Sequence, residues 1–305
     1  MSSADSVPPA RCFLDRSAPD WPPLWLEMTD PPPRVSVTGE CDALARQAIG
    51  IVGTRQATPR GLAVATGLAG ALVRLGWIVV SGMALGIDAA AHRGAIRAGG
   101  KTVAVMGTGS DLTYPAQHVR LRREIESHGC CVTEFPDGTP PYKSNFPRRN
   151  RLIAGMAEGV IVVEAPTRSG ALLTAYLALD MCREVFAVPG PIDSLQSRGC
   201  HHLLREGATL LESPDDLQRV LAPPEYAGSA TEKESTRSTL PEPAPGSAAR
   251  WIWDRLDLGG VEIGELQRRW SGSRQAWSEG LIALEMGDLI RRLPGGRLAR
   301  KIWRP

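Results

Sequence analysis

No run of about 18 apolar residues occurs in this chain, so no membrane-spanning helix is predicted. Neither sign of charge dominates. The 35 Lys+Arg against 33 Asp+Glu leave a formal +2, which excludes a polycation that grips polyanions by bulk charge. Any nucleic-acid affinity must come from where the charges sit. The six cysteines form no CxxC pair and no zinc-ligand spacing, so the reading is reduced thiols in a cytoplasmic protein with no metal site. Adjacent Cys130 and Cys131 fall in a predicted strand and should point to opposite faces. Near the N-terminus, Asp5, Arg11 and Asp15 stand among prolines with no apolar core segment, so no secretory signal is expected.

What the chain does have is one concentrated stretch, Tyr142 to Arg151 (YKSNFPRRNR). Lys143, Arg148, Arg149 and Arg151 surround a single ring, Phe146, and no carboxylate lies between Asp137 and Glu158. Cations that reach phosphates, beside a ring on which a base can stack, are the two components of a single-strand nucleic-acid site. The alternative is a solvated basic loop with Phe146 turned into the core.

A length of 305 residues accommodates one large domain and a smaller one. Residues 1–47 read as a Pro-rich lead-in with a short extended piece at Arg34–Val37. From Ala48 to about Leu221, short apolar runs alternate with helical patterns, which predicts an α/β domain with a parallel sheet covered on both faces. Residues 222–248 are rich in Pro, Ser, Thr and Glu and lack apolar periodicity, as a disordered linker would. Residues 249–305 regain pattern: three helices and a basic two-stranded hairpin, which describes a small winged-helix domain. Its third helix carries Glu279 and Glu285 beside Arg274, so a protein-contact role and a duplex contact through the hairpin both stay open.

Several glycine motifs mislead. Ala95–Thr102 fits a relaxed phosphate-loop pattern, but such a loop must follow a strand and open a helix. This one follows a helix and opens a strand, so Lys101 is read as a turn residue. Gly107-Thr108-Gly109 lacks the third glycine of a dinucleotide fingerprint. More telling is the set of loops that follow predicted strands: Gly53-Thr54-Arg55, Ser81-Gly82-Met83-Ala84, Gly107–Gly109 and Arg168-Ser169-Gly170. In an open parallel sheet these loops share one edge, where helix N-termini present backbone N–H groups to anions. Arg55 and the basic aromatic segment join them there.

The strings Ile51–Arg55, Ser81–Asp88 with Ala91-His92, Gly107–Gly109 with Tyr114-Pro115, Asn145–Gly155, Glu164-Ala165 with Ser169-Gly170 and Thr174-Ala175, and Val188–Gly190 resemble the bacterial DNA-processing protein A family. The resemblance runs from about Asp20 to Leu217. It implies an extended Rossmann-like fold that binds single-stranded DNA, works as a homodimer, delivers DNA to the RecA recombinase in natural transformation, and carries a C-terminal winged helix. It points to Arg55, Lys143, Asn145, Phe146, Arg149 and Arg151 as DNA contacts. Gly53, Ser81, Gly82, Gly109, Ser169 and Gly170 would shape the pocket. Two departures stand out: the short N-terminal segment has no room for the helical domain with which many members begin, and Pro59 stands where an aromatic is usual.

A competing reading is an enzyme, since the same glycine edge resembles nucleotide phosphoribohydrolases. Those use a PGGxGT loop followed by Glu; here Ala165–Thr174 lacks the second glycine pair and the carboxylate. Glu164 is expected to cap the helix at Ser169–Thr174, Asp88 its own helix start, and His92 to pair locally with Asp88. No catalytic set, cofactor or metal cluster emerges, and a binding protein is the preferred reading.

Overall fold

The computed structural model describes residues 11–221, 246–256, 261–286, 290–293 and 297–300. Two compact units, 1–227 and 228–305, divide the chain. Residues 222–245, most of the expected linker, lie outside the described residues.

A nine-stranded sheet organises the first unit. In chain order its strands are β1 (Arg11–Asp15), β2 (Arg34–Gly39), β3 (Ala48–Val52), β4 (Ile78–Ser81), β5 (Thr102–Val105), β6 (Gly129–Thr133), β7 (Ala157–Val162), β8 (Glu184–Ala187) and β9 (Thr209–Leu210). They lie in the order β1-β2-β6-β5-β4-β3-β7-β8-β9. Every neighbouring pair from β6 to β9 is parallel. The α/β class and the parallel sheet are as the alternation of apolar runs and helices requires. The Pro-rich segment is more than a lead-in: β1 and β2 extend the same sheet as an antiparallel edge. Trp21 and Trp25 from this segment are buried in the core.

The connecting helices are α1 (Pro59–Arg74), α2 (Ile87–Arg97), α3 (Val119–Glu126), α4 (Asn145–Met156), α5 (Gly170–Asp180), α6 (Arg198–Arg205) and α7 (Pro214–Val220). α4, α5 and α6 pack with the two tryptophans in one hydrophobic core, while α1 and α2 build another around Ile49, Ile51 and Val79. Because both faces are covered, the strands are apolar throughout; β3, β5 and β6 are buried at every position. Cys130 and Cys131 join different cores, as strand alternation demands. Lys101 follows the turn after α2 and pairs with Glu40 and Asp42 at 2.8 and 2.7 Å, which leaves it no phosphate-loop role.

One boundary matters for function. The helical pattern at 148–157 in the sequence predicts a start at Arg148, with Asn145 and Phe146 in a loop, yet the helix starts at Asn145. Pro147 sits in its first turn, where the missing N–H has no intrahelical partner to lose and the fixed φ suits the helix. Phe146 is therefore held on a helix end.

The second unit contains α8 (Ala248–Arg255), β10 (Val261–Glu262), α9 (Ile263–Arg269), α10 (Arg274–Met286), β11 (Ile290–Leu293) and β12 (Arg297–Arg300). Its strands form an antiparallel sheet ordered β10-β12-β11 over a core that includes Ile252, Leu266, Trp277, Leu284 and Leu298. The hairpin turn at 294–296 and the basic tail with Lys301 and Arg304 lie outside the described residues. No helix among the described residues is long and apolar enough to cross a membrane.

Candidate nucleic-acid interface

The strand order reverses at β3: the chain proceeds to β4 on one side and returns to β7 on the other. The loops after β3 and β7 thus diverge and leave a crevice beyond the strand ends, the usual place for a ligand in such a sheet. A cleft of about 410 Å³ occupies it. Gly53, Thr54 and Arg55 wall it from the β3 side, Arg168, Ser169 and Gly170 from the β7 side, and Phe146, Arg149 and Asn150 of α4 from a third. A smaller recess adjoins it, lined by Gly82, Leu85, Gly107, Tyr114, Phe146 and Arg149.

Phe146 stands between the two cavities, partly buried and shared by both walls. The Arg55 guanidinium lies 5.2 Å from its ring centroid and that of Arg149 5.9 Å, within cation–π range. Tyr114 packs against the ring with centroids 5.5 Å apart. Gly107 leaves space for the ring: a Cβ there would sit 3.1 Å from the Phe146 edge.

Arg149 is only 5 % exposed. Its Nη1 donates to the Gly82 carbonyl at 2.7 Å and to the Val105 carbonyl, and its Nε donates to the Asn150 side-chain oxygen at 3.1 Å. Any side chain at Gly82 would overlap this guanidinium, so the glycine is required by the arginine. Burial lowers the Arg149 pKa to about 10, with Asp88 opposing the shift. The group still carries its proton near neutral pH. Burial likewise raises the Asp88 carboxyl above its ordinary value, against the Arg149 charge and the N–H groups of Ala84 and Gly82. Both members of the pair are pushed toward neutrality by desolvation and held charged by each other.

One helix N-terminus, that of α5, lines the crevice, while that of α1 is closed by its own caps. Ser169 caps α5, accepting from the Leu172 N–H at 3.4 Å, and Thr58 caps α1, accepting from the Gly61 N–H at 3.0 Å. The positive end of α5 beside Arg55, Arg149 and Arg168 makes the cleft a place for anions.

Of the residues expected to contact a ligand, Arg55, Phe146 and Arg149 meet in the cleft, with Gly53, Ser169 and Gly170 in its walls and Gly82 in the recess. The others do not. Arg151 turns to the opposite side of α4 and binds Glu134, with the Asp30 carbonyl accepting at 2.7 Å. Asn145 is buried, and its amide donates to the Gly107 and Pro140 carbonyls at 3.1 and 3.2 Å, which fixes the start of α4. The Ser81 hydroxyl is spent on the Ile51 carbonyl at 2.6 Å. Gly109 gives space to Asp111 and Asp137 outside both cavities. Lys143 is exposed on the loop before α4 and is not among the lining residues. Tyr114 and Arg168 were absent from the expected set; a ring beside a glycine loop and a cation immediately before a helix cap were the available signals.

The acids also differ from expectation. Glu164 caps α1 rather than α5: it accepts from the Thr58 N–H at 2.9 Å and from the Thr58 hydroxyl, and its carboxylate fills the space a side chain at Gly61 would need. Asp88 reaches back to the Ala84 N–H at 3.3 Å, ahead of its helix. His92 does not pair with Asp88. Its Nδ1 meets the Thr102 hydroxyl at 2.8 Å, and burial lowers its pKa to about 3, so it stays neutral. Asp88 is the cleft's sole carboxylate among the described residues.

The family model for DNA recombination-mediator protein A matches residues 13–222, nearly all of the nine-stranded sheet and its helices. The chain belongs to this family. Protein Smf of Synechocystis is 42 % identical over 209 residues, which cover 67 % of this chain and 52 % of that protein. DNA processing protein DprA of Bacillus subtilis is 41 % identical over 197 residues, covering 64 % and 66 % respectively. The chain thus spans about half to two thirds of the length of these relatives. Among solved structures, DprA of Streptococcus pneumoniae superposes with a TM-score of 0.67 at 38 % identity, covering 69 % of this chain and 74 % of that one. DprA of Helicobacter pylori superposes at 0.63 and 27 % identity, covering 68 % and 94 %; that structure was described for its single-stranded DNA binding mode.

Proposed function

We propose that the protein is a single-stranded DNA-binding protein whose cleft takes phosphates on Arg149, Arg55 and the α5 N-terminus while a base stacks on Phe146. The observation that carries this reading is the position of Phe146: one ring shared by two cavities, with the Arg55 and Arg149 guanidiniums 5.2 and 5.9 Å from its centroid. A stacked base must be unpaired, since a duplex hides base faces, and every base offers such a face. The ligand is therefore single-stranded with little sequence preference. The DNA-processing names of the relatives and the single-stranded DNA of the Helicobacter pylori structure support it. By the same kinship we propose that this cytoplasmic protein acts as a homodimer and hands DNA to the RecA recombinase during transformation. The second unit is proposed to be a winged helix, on the order of its three helices and antiparallel sheet.

The reading as a binder rather than a nucleotide hydrolase is supported by the acids. Glu164 is engaged at the α1 cap and Asp88 holds its own loop. The test is an anisotropy titration with oligo-dT, blunt duplex and nucleoside monophosphates, each monophosphate also assayed for released base. Tight binding of oligo-dT with no turnover is expected. Equal or tighter binding of duplex overturns the single-strand reading, and base release lost in Glu164→Gln overturns the binder reading.

A further inference from the structure

The cleft accounts for only part of the cationic surface. Helices α1, α2 and α3 together carry Arg60, Arg74, Arg93, Arg97, Arg120, Arg122 and Arg123 against three carboxylates. Asp88 is buried at the cleft, and Glu126 is buried with Arg122 at 2.8 Å and the Thr38 hydroxyl at 2.8 Å. That leaves Glu124. Several cations elsewhere are neutralised: Arg11 on Asp137, Lys101 on Asp42, Arg148 and Arg151 on Glu134, Arg183 on Glu27. Among the described residues, no ion pair engages Arg93 or Arg97. Uncompensated cations on adjoining helices repel one another, and a polyanion relieves that repulsion.

A groove of about 540 Å³ runs between α2 and α3, lined by Arg93, Ile96, Arg97, Gln117, Arg120, Leu121 and Glu124. Glu124 meets Arg120 at 2.9 Å in an exposed i,i+4 pair, weak enough for a phosphate to displace. Arg93 and Arg97 lie one helical turn apart and so face the same way. No aromatic lines the groove, so it offers charge without stacking.

The groove is linked to the cleft through the chain. Ala84 and Asp88 line the cleft, and α2 carries the chain from there to Arg93 and Arg97. On the other wall, Tyr114 and Pro115 border the recess and Gln117 follows at the groove's head. The buried His118 ring, 2.9 Å from the Met83 carbonyl, fastens the start of α3 to the loop after β4.

We propose that the sugar–phosphate backbone of a single strand held in the cleft continues along the α2–α3 groove, with phosphates on Arg93, Arg97 and Arg120 and its bases turned outward. This rests on the cleft being a single-strand site, and it extends that site into a longer track.

The test compares the full chain with an Arg93→Ala/Arg97→Ala/Arg120→Ala variant, using oligo-dT of about 4 and about 16 nucleotides, the span of site sizes for single-strand binders. Alanine suits an exposed helix position, and an unchanged melting curve confirms the fold. The short oligonucleotide should bind as before. The long one should lose about tenfold or more at low salt, and its log–log salt slope should become shallower by about 2, for three phosphates at roughly 0.7 each. Unchanged binding of the long oligonucleotide, an equal loss at both lengths, or a loss seen with duplex alone overturns the groove. Phe146→Ala separates the two readings: it should weaken both lengths, and failure to do so counts against the cleft whatever the groove variant does.

Discussion

Arg149 and Arg151 stand two residues apart on α4, both nearly buried, and have opposite fates. Two residues of an α-helix turn through about 200°, so the side chains emerge on opposite faces. Arg149 enters the cleft, bonds to backbone carbonyls and retains charge that can meet a ligand. Arg151 is neutralised by Glu134, which Arg148, three residues earlier on the same face, also binds at 3.1 Å. The comparison teaches that charge counted along a sequence is not charge presented to a ligand. Helix phase and a single carboxylate, Glu134, decide between a binding group and a structural one.

The largest effect that bears on this contrast is on stability. Arg151→Ala leaves the buried Glu134 carboxylate with only the exposed Arg148 as partner and should cost up to about 3–5 kcal/mol, read by urea unfolding, while the folded protein keeps its single-strand affinity. A normal unfolding midpoint with a binding defect would reverse the roles of the two arginines. Next is Phe146→Ala, expected to cost about 1–3 kcal/mol of affinity with an unchanged salt slope, because it removes stacking and no charge. If the variant instead unfolds and binds normally while folded, the ring belongs to the core.

A smaller effect lies in Asp88, whose charge opposes the desolvation of Arg149. The folded Asp88 carboxyl titrates above its ordinary value of 3.8. The stability tied to this group is fully present below the unfolded value and is lost as pH rises through the folded one. Asp88→Asn should remove that part of the decline, so its stability advantage over the parent grows from about pH 4 and then levels. An advantage independent of pH would show that desolvation of this carboxylate is not what the fold resists. The smallest effect concerns the other unit. A chain ending at Leu221 retains every cleft residue and should keep most of its single-strand affinity, compared by titration with a 248–305 fragment. A fragment that carries nearly all the affinity would displace the cleft as the principal site.

The parallel sheet was legible because strands buried on both faces leave unmistakable apolar runs, and the site's edge followed from the loops after them. Phe146 and Arg55 were legible as a ring and a cation near glycine turns. The division of labour within Arg148–Arg151 was not, because Pro147 reads as a break when it is the first turn of α4, and the helix phase cannot be set without its start. Glu164 could not be assigned either: its partner, Thr58, is 106 residues away and is brought near only by the pairing of β3 with β7. Strand β2 was legible as the extended piece at Arg34–Val37, but β1 was hidden among prolines, and the pairing of β2 with β6 is likewise non-local.

The most direct measurement is the salt dependence of oligo-dT binding by Arg149→Met and Arg151→Met, each against the parent chain. Methionine keeps much of the buried volume while it removes the charge and the hydrogen-bond donors that carry it. The account predicts a log–log slope shallower by roughly 0.7 for Arg149→Met, because one phosphate goes without its counter-charge, and a slope parallel to the parent for Arg151→Met. A parallel slope for Arg149→Met, with the shallower one in Arg151→Met, would contradict it.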